Sequence, residues 1–267
     1  MPTDRADAST NRIFHNERGI GNAIVLLHAF PLDGGMWAEQ TLALEGSYRV
    51  IAPDVFGFGK SGIPSGEWSI DYYAVRLAEY LDELKIADPF ILGGLSMGGY
   101  IALAFARRYP ERLRGLILAD TRADADTPAV KEFRDKTISA MATQSAADLI
   151  EQQIPKMLSE KTRQTKPEVV AKVRELAARQ TREGVIAGLK ALRNRSDSTA
   201  SLKGLRFPVL VIVGAEDAVT PPALAEAMVK ELPNATLVVI PNAGHLSNLE
   251  MPEEFYAAIT KWLALIH

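Results

Sequence analysis

The stretch GGLSMGGY, residues 93–100, decides the fold class. Its four glycines surround one serine, after the apolar run 89–92 and before the apolar run 101–106. Glycine loses more conformational entropy on ordering than any other residue, so such a cluster marks backbone that has no room for a Cβ. The pattern predicts a strand, a tight turn at Ser96 and then a helix.

Strand-like and helix-like segments alternate on both sides of this turn. The strand-like runs are almost continuously apolar, which is typical of strands covered by helices on both faces. They span residues 23–28, 48–52, 90–95, 116–119, 209–213 and 236–240. Helical spacing of apolar residues marks residues 71–84, 97–109 and 253–265. This alternation predicts an α/β fold with a twisted, mostly parallel sheet. We expect residues 11–22 to add an antiparallel edge hairpin.

The alternation stops between residues 121 and 202. This segment has no strand-like run, and Thr127-Pro128 and Lys166-Pro167 place a proline where a helix can begin. We therefore expect a helical lid of residues 121–202, inserted between two strands of a core domain formed by residues 1–120 and 203–267. The alternative is that these helices simply cover the sheet, although the connection between two neighbouring strands of a sheet is normally much shorter than this segment.

Composition excludes several classes of function. A net charge of −3 gives no reason to expect nucleic acid or an anionic membrane as a partner. The absence of cysteine excludes disulfides, thiolate metal sites and a cysteine nucleophile. No apolar run approaches the ~20 residues of a membrane helix, and the polar residues 1–12 contain no signal-peptide core. We expect a cytoplasmic protein with no metal or cofactor site, since no cluster has metal-ligand spacing.

The serine of the glycine cluster is a candidate nucleophile. Gly94-Leu95-Ser96-Met97-Gly98 matches G-x-S-x-G, in which the serine hydroxyl points beyond the end of a strand. A hydroxyl is a poor nucleophile until a base takes its proton. His245 follows the strand-like run 236–240, so it belongs at the same edge of the sheet. Asp217, just past the run 209–213, is the candidate carboxylate that orients the imidazole.

Other titratable residues offer alternatives to these assignments. Asp120 stands at another strand end and is the alternative carboxylate. His28 follows the first parallel strand, where bracing its loop is a simpler role than proton transfer. Asp54 is expected to shape a neighbouring loop. His15 belongs to the predicted edge hairpin, and His267 is the last residue.

A tetrahedral intermediate also requires hydrogen-bond donors for its oxyanion. We predict the backbone N–H groups of Met97 and Phe30, since Pro31 has none to donate. Phe30, Met97, Trp37 and Leu246 are candidate walls of a substrate pocket. Each of them is equally consistent with ordinary core packing.

With these residues in place, the chain resembles the α/β-hydrolase superfamily over nearly its full length. The matching motifs are HAFP (28–31), PDVFGFGKS (53–61), GLSMG (94–98), GAEDAVTPP (214–222) and NAGHLSNLEMPEEF (242–255). Chain order Ser96, Asp217, His245 also follows the superfamily. The stretch LADTRADAD (118–126) and the segment GHLSNLE are similar to 3-oxoadipate enol-lactonases and related small-ester hydrolases. Ala29 departs from the usual glycine of the first motif.

The resemblance implies a serine hydrolase of small carboxylic esters or lactones, which needs no cofactor and works through an acyl-enzyme. A homodimer is a further implication. Haloalkane dehalogenases share this fold but use an aspartate nucleophile, and Ser96 argues against that chemistry. Perhydrolase or haloperoxidase-like activity, carbon–carbon bond hydrolysis and acyl transfer with the same three residues remain open. So does a ligand-binding receptor with little turnover.

Overall fold

The computed structural model describes residues 12–63, 66, 68–86 and 89–266. Within them, seven strands form one sheet in the order β1-β3-β2-β4-β5-β6-β7. The strands are β1 (His15–Arg18), β2 (Ala23–Leu27), β3 (Arg49–Pro53), β4 (Phe90–Leu95), β5 (Leu113–Ala119), β6 (Val209–Gly214) and β7 (Ala235–Ile240). All neighbours pair in parallel except β1 and β3. The expectations for residues 1–11 and for His267 lie outside the described residues.

Helices cover both faces of the sheet. They are α1 (Ala38–Leu44), α2 (Ile70–Glu83), α3 (Met97–Arg108), α4 (Pro128–Ala140), α5 (Ala146–Met157), α6 (Glu160–Thr165), α7 (Pro167–Ala178), α8 (Arg182–Arg193), α9 (Thr199–Leu202), α10 (Pro222–Glu231), α11 (Ser247–Glu250) and α12 (Pro252–Leu263). Apolar residues of α2, α3 and α10 pack on one face, and those of α1 and α12 pack on the other. Strands β4 and β6 are consequently buried at every position. The predicted α/β class is confirmed.

The edge of the sheet differs from the prediction. Strand β1 is antiparallel, as expected, but it pairs with β3, where His15 lies opposite Pro53. It does not form a hairpin with β2, because β3 occupies the place beside β2 through Ile24 and Val25. The predicted hairpin over residues 11–22 is therefore wrong.

The segment between β5 and β6 is helical. Helices α4 to α9 all lie within it, and its described residues contain no strand. Both proline signals are confirmed: α4 begins at Pro128, with Thr127 as its N-cap, and α7 begins at Pro167. We call α4–α9 the helical insertion. Its treatment as a lid, separate from a core domain, stays a prediction.

Candidate active site

The turn between β4 and α3 sets the position of Ser96. Its backbone has φ +54° and ψ −111°, a conformation that non-glycine residues rarely adopt. The Ser96 N–H donates to the carbonyl of Ala119 at 3.0 Å, which ties the turn to β5. A Cβ at Gly98 would lie 2.2 Å from the backbone oxygen of Leu27, so only glycine lets α3 start this close to β2. The turn therefore holds the serine beyond the end of β4.

Two loops bring a histidine and a carboxylate to this serine. Nε2 of His245 lies 2.9 Å from the hydroxyl oxygen of Ser96, and its Nδ1 lies 2.9 Å from Oδ2 of Asp217. Oδ1 of Asp217 accepts from the N–H groups of Val219 and Thr220, both at 2.8 Å. An ionised carboxylate can only accept, so Nδ1 donates to Asp217 and Nε2 is free to accept the serine proton. The three residues form one chain of hydrogen bonds.

The charges around His245 favour its protonated form. Burial disfavours the imidazolium, but the charge of the Asp217 carboxylate and its hydrogen bond to Nδ1 raise the pKa of His245 above its ordinary value. Burial raises the pKa of Asp217, but the charge of His245 and the hydrogen bonds from His245 and Thr220 outweigh it. The pKa of Asp217 therefore lies below its ordinary value. This electrostatic arrangement stabilises a positive charge on the imidazole and a negative charge on the carboxylate.

Asp120, the alternative carboxylate, holds a different position. Its Oδ1 accepts from the N–H of Gly214 at 2.8 Å, and its Oδ2 lies 2.5 Å from the Ser247 hydroxyl. None of the hydrogen bonds of the described residues joins it to His245. It instead ties the end of β6, which precedes Asp217, to the helix that follows His245.

Two predicted amide donors come from neighbouring strand ends. Met97 is the first residue of α3, and Phe30 lies in the loop after β2. Strands β2 and β4 are paired, with Leu27 opposite Gly94, so the two segments adjoin. His28 supports this loop: its Nδ1 lies 2.9 Å from the carbonyl of Ala29, and its Nε2 accepts from the Val55 N–H at 2.9 Å.

The remaining candidates lie in packed surroundings. Trp37 and Leu246 are buried in the core, and the Trp37 ring packs on Phe255 at a centroid distance of 5.8 Å. Their assignment as pocket walls stays a prediction. Asp54 is buried and accepts from the N–H groups of Gly34 and Lys60, both at 2.8 Å, while His15 lies beside Glu17 on the edge strand.

The structure adds a buried carboxylate that the sequence analysis did not single out. Glu250 accepts from the N–H of Gly244 through one oxygen and from the N–H of Ser159 through the other, both at 2.8 Å. It thus joins the loop of His245 to the helical insertion. Glu250 stands within a quoted motif, but Ser159 is 91 residues away along the chain, so no local pattern marks the contact.

Two other kinds of feature are absent from the described part of the chain. The described residues contain no group of three or more histidine, aspartate or glutamate side chains placed to hold a metal ion. None of their helices has the length and apolar character needed to cross a membrane.

Comparison with known proteins places this geometry in context. Residues 22–252 match the family described as alpha/beta hydrolase fold. A solved thermophilic esterase from Thermogutta terrifontis has 41% identity and a TM-score of 0.93, with 96% of this chain and 94% of that chain covered. The 3-oxoadipate enol-lactonase 2 of Acinetobacter baylyi is 30% identical over 89% of this chain and 86% of its own length. Haloalkane dehalogenase 2 of Mycobacterium tuberculosis is also 30% identical, over 95% of this chain and 92% of its own length.

Proposed function

The chain belongs to the alpha/beta hydrolase fold family, and from that premise we propose that it hydrolyses small carboxylic esters or lactones through an acyl-enzyme on Ser96. The observation that carries the proposal is the chain of two 2.9 Å hydrogen bonds from Ser96 through His245 to Asp217. The likeness to an esterase and to an enol-lactonase supports the same substrate class.

The proposed reaction has two halves. The Ser96 oxygen attacks the ester carbonyl while Nε2 of His245 takes its proton, and Asp217 stabilises the resulting imidazolium. The N–H groups of Met97 and Phe30 bind the oxyanion. His245 then returns the proton to the leaving oxygen, and the alcohol departs. In the second half, His245 takes a proton from water, which attacks the acyl-enzyme; the bond to the Ser96 oxygen then breaks, His245 gives its proton to that oxygen, and the acid is released.

The nucleophile separates this proposal from dehalogenation. Attack of a serine hydroxyl on a carbon–halogen bond would leave an ether, which a water activated by His245 does not hydrolyse. Attack on an ester leaves an acyl-enzyme, which such a water does hydrolyse. Ser96 therefore favours the esterase and lactonase relatives over the dehalogenase as guides to the chemistry.

The test compares the wild type with Ser96→Ala on p-nitrophenyl acetate and butyrate. We expect the substitution to lower kcat by roughly a thousandfold or more, because it removes the nucleophile. Ser201→Ala, in the short helix α9, is the control and should keep wild-type rates. Comparable turnover by the wild type and Ser96→Ala would contradict the proposal.

A further inference from the structure

The loop after β2 folds back on itself, and we call its residues 29–36 the β2 loop. The Leu32 N–H donates to the carbonyl of Ala29 at 2.9 Å, and the Ala29 N–H donates to the sulfur of Met36 at 3.2 Å. The Met36 N–H donates in turn to the carbonyl of Asp33 at 3.1 Å. Because these bonds join both ends of the β2 loop, a displacement of Asp33 displaces the whole loop.

The β2 loop carries an amide that has no acceptor within the protein. No described residue takes a hydrogen bond from the N–H of Phe30. We predict that this N–H binds the oxyanion, and a donor serves that purpose only while it is aimed at the oxyanion within hydrogen-bond distance. His28 supports one end of the loop, where its Nδ1 lies 2.9 Å from the carbonyl of Ala29. The contacts that hold the other end, at Asp33, therefore bear on the position of the donor.

A buried glutamine of the helical insertion holds that other end. Gln180 follows α7 and is 7% exposed. Its Nε2 donates to Oδ2 of Asp33 at 3.2 Å and to the carbonyl of Leu176 at 2.7 Å. Its Oε1 accepts from the N–H of Gly59, in the loop after β3, at 2.7 Å. One amide thus joins the insertion to two loops at the edge of the sheet.

The buried carboxylate of Asp33 depends on this amide. Its Oδ1 accepts from the Gly35 N–H at 2.9 Å, but that bond lies within the β2 loop and does not fix the loop to its surroundings. Near Oδ2, Nη1 of Arg179 lies 3.6 Å away, on a side chain that is 46% exposed. A buried carboxylate needs hydrogen-bond donors. Without the Gln180 amide, we expect Asp33 to turn toward Arg179 and solvent and the β2 loop to move with it.

A second link limits how far the loop can move. Asp54 accepts from the N–H of Gly34, in the β2 loop, and from the N–H of Lys60, in the loop after β3, both at 2.8 Å. These bonds do not involve Gln180. Loss of the Gln180 amide should therefore shift the β2 loop without unfolding it.

The chemistry of ester cleavage gives this attachment a meaning. We propose that Gln180 is a positioning residue for the oxyanion: through Asp33 it fixes the β2 loop and with it the Phe30 N–H. This inference rests on the proposed function. The contact between Ser96 and His245 is made by other loops, so a loss of Gln180 weakens the stabilisation of the tetrahedral intermediate and leaves the proton transfer intact.

The experiment replaces the amide and follows the oxyanion. In Gln180→Met, kcat for p-nitrophenyl acetate should fall by about tenfold, which is less than the loss of a whole oxyanion donor causes, and KM should change less than about twofold. Butylboronic acid forms a tetrahedral adduct on a serine oxygen, and its dissociation constant should rise by about tenfold. The pH at which kcat/KM is half-maximal on the acid side should not move, because the partners of His245 are unchanged.

Two further variants test the route through Asp33. Gln180→Glu, assayed at pH 8, keeps an acceptor for the Gly59 N–H but loses the donor to Asp33, so it should show the same changes as Gln180→Met. Asp33→Ala removes the partner instead. If Gln180 acts through Asp33, adding Gln180→Met to Asp33→Ala should lower kcat by less than about twofold, because contacting residues are not additive.

Gln152→Met, at an exposed position of α5, is the matched control and should keep wild-type values. Unchanged kcat and boronic acid affinity in Gln180→Met and Gln180→Glu, or a shifted pH midpoint, would overturn the positioning role while ester hydrolysis itself stands. A full tenfold effect of Gln180→Met in the Asp33→Ala background would overturn the route through Asp33. A wild type that neither hydrolyses p-nitrophenyl esters nor binds the boronic acid would overturn the proposed function, and this inference with it.

Discussion

At the scale of single residues, Asp217 and Asp120 show how similar side chains acquire different properties. Both are buried near His245. The Asp217 carboxylate accepts hydrogen bonds from two backbone N–H groups, a threonine hydroxyl and the imidazole. The imidazole and these hydrogen bonds hold the pKa of Asp217 below its ordinary value, although burial raises it. For Asp120, burial is the largest influence, the charge of Asp217 adds to it, and the pKa rises to about 8. Near neutrality, Asp217 is the ionised carboxylate of the pair.

The raised pKa of Asp120 predicts a pH-dependent stability. The folded protein holds the Asp120 proton more tightly than the unfolded chain, in which the pKa is near 3.8. Its contribution to stability is therefore full below pH 4 and is lost as the pH rises toward 8. Asp120→Asn removes this titration, so the free energy of unfolding of the wild type should decline relative to the variant between these limits.

Urea unfolding of the two proteins at pH 5, 6.5 and 8 measures this difference. Each pair of measurements shares its pH, so the titration of all other groups cancels to first order. A gap between the two proteins that stays constant from pH 5 to pH 8 would show that Asp120 is ionised throughout.

Sequence reasoning at this scale succeeded for residues that stand at strand ends. The carboxyl ends of parallel strands meet at one edge of a sheet, so Ser96, Asp217 and His245 could be expected near one another, and they lie within hydrogen-bond distance. Their chemical roles remain proposals. Glu250 could not be found in this way, because nothing in its neighbours shows that it is buried or that Ser159 is its partner.

At the scale of elements, glycine and proline set the boundaries that the sequence predicts well. Strand β4 spans the predicted residues 90–95, and α3 begins at Met97 as expected, because the glycine cluster fixes the turn. At the edge of the sheet, the antiparallel direction of β1 agrees with the prediction, but the predicted hairpin over residues 11–22 is wrong because β1 pairs with β3. Its partner depends on where β3 enters the sheet, and the local apolar pattern carries no information about strand order.

The close approach of α3 to β2 predicts a large effect of one methyl group. In Gly98→Ala the Cβ would meet the backbone oxygen and carbon of Leu27 at 2.2 and 2.6 Å. Both are backbone atoms, which cannot move away by a change of rotamer, so α3 must shift. We expect a loss of about 2 kcal/mol or more in the free energy of unfolding, measured with urea.

Gly46→Ala is the control for this prediction. An added Cβ at Gly46 meets no atom within 4 Å, so its effect should stay within about 1 kcal/mol and reflect only the unfolded chain. If the two variants unfold at the same urea concentration, the packing of α3 on β2 is looser than these distances indicate.

At the scale of the whole molecule, the helical insertion is attached directly to the loop of His245. The carbonyl of Met157 accepts from the His245 N–H, and the Ser159 hydroxyl donates to the carbonyl of Asn242 at 3.1 Å. Lys166 donates to the carbonyl of Glu250 at 2.6 Å. His245 is thus held by Asp217 on one side and by the backbone of the insertion on the other. The end of α5 and the loop that follows it form part of the support of the imidazole.

The carboxylate of Glu250 is the buried centre of this attachment, and its replacement tests the coupling. In Glu250→Gln the amide offers one accepting oxygen in place of two, so the N–H of either Gly244 or Ser159 loses its acceptor. An unsatisfied buried donor costs about 1–3 kcal/mol. We expect hydrogen–deuterium exchange of the Ser159 and Thr162 amides to accelerate by about tenfold, as local opening becomes easier.

Activity and exchange should change together if the insertion helps to position His245. The kcat for p-nitrophenyl acetate should fall by several fold in Glu250→Gln, with KM changed less, because the imidazole is displaced from Ser96. Glu253→Gln, at an exposed position in the first turn of α12, is the control and should leave both measurements at wild-type values. Faster exchange at Ser159 with an unchanged kcat would mean that Asp217 positions the imidazole without help from the insertion.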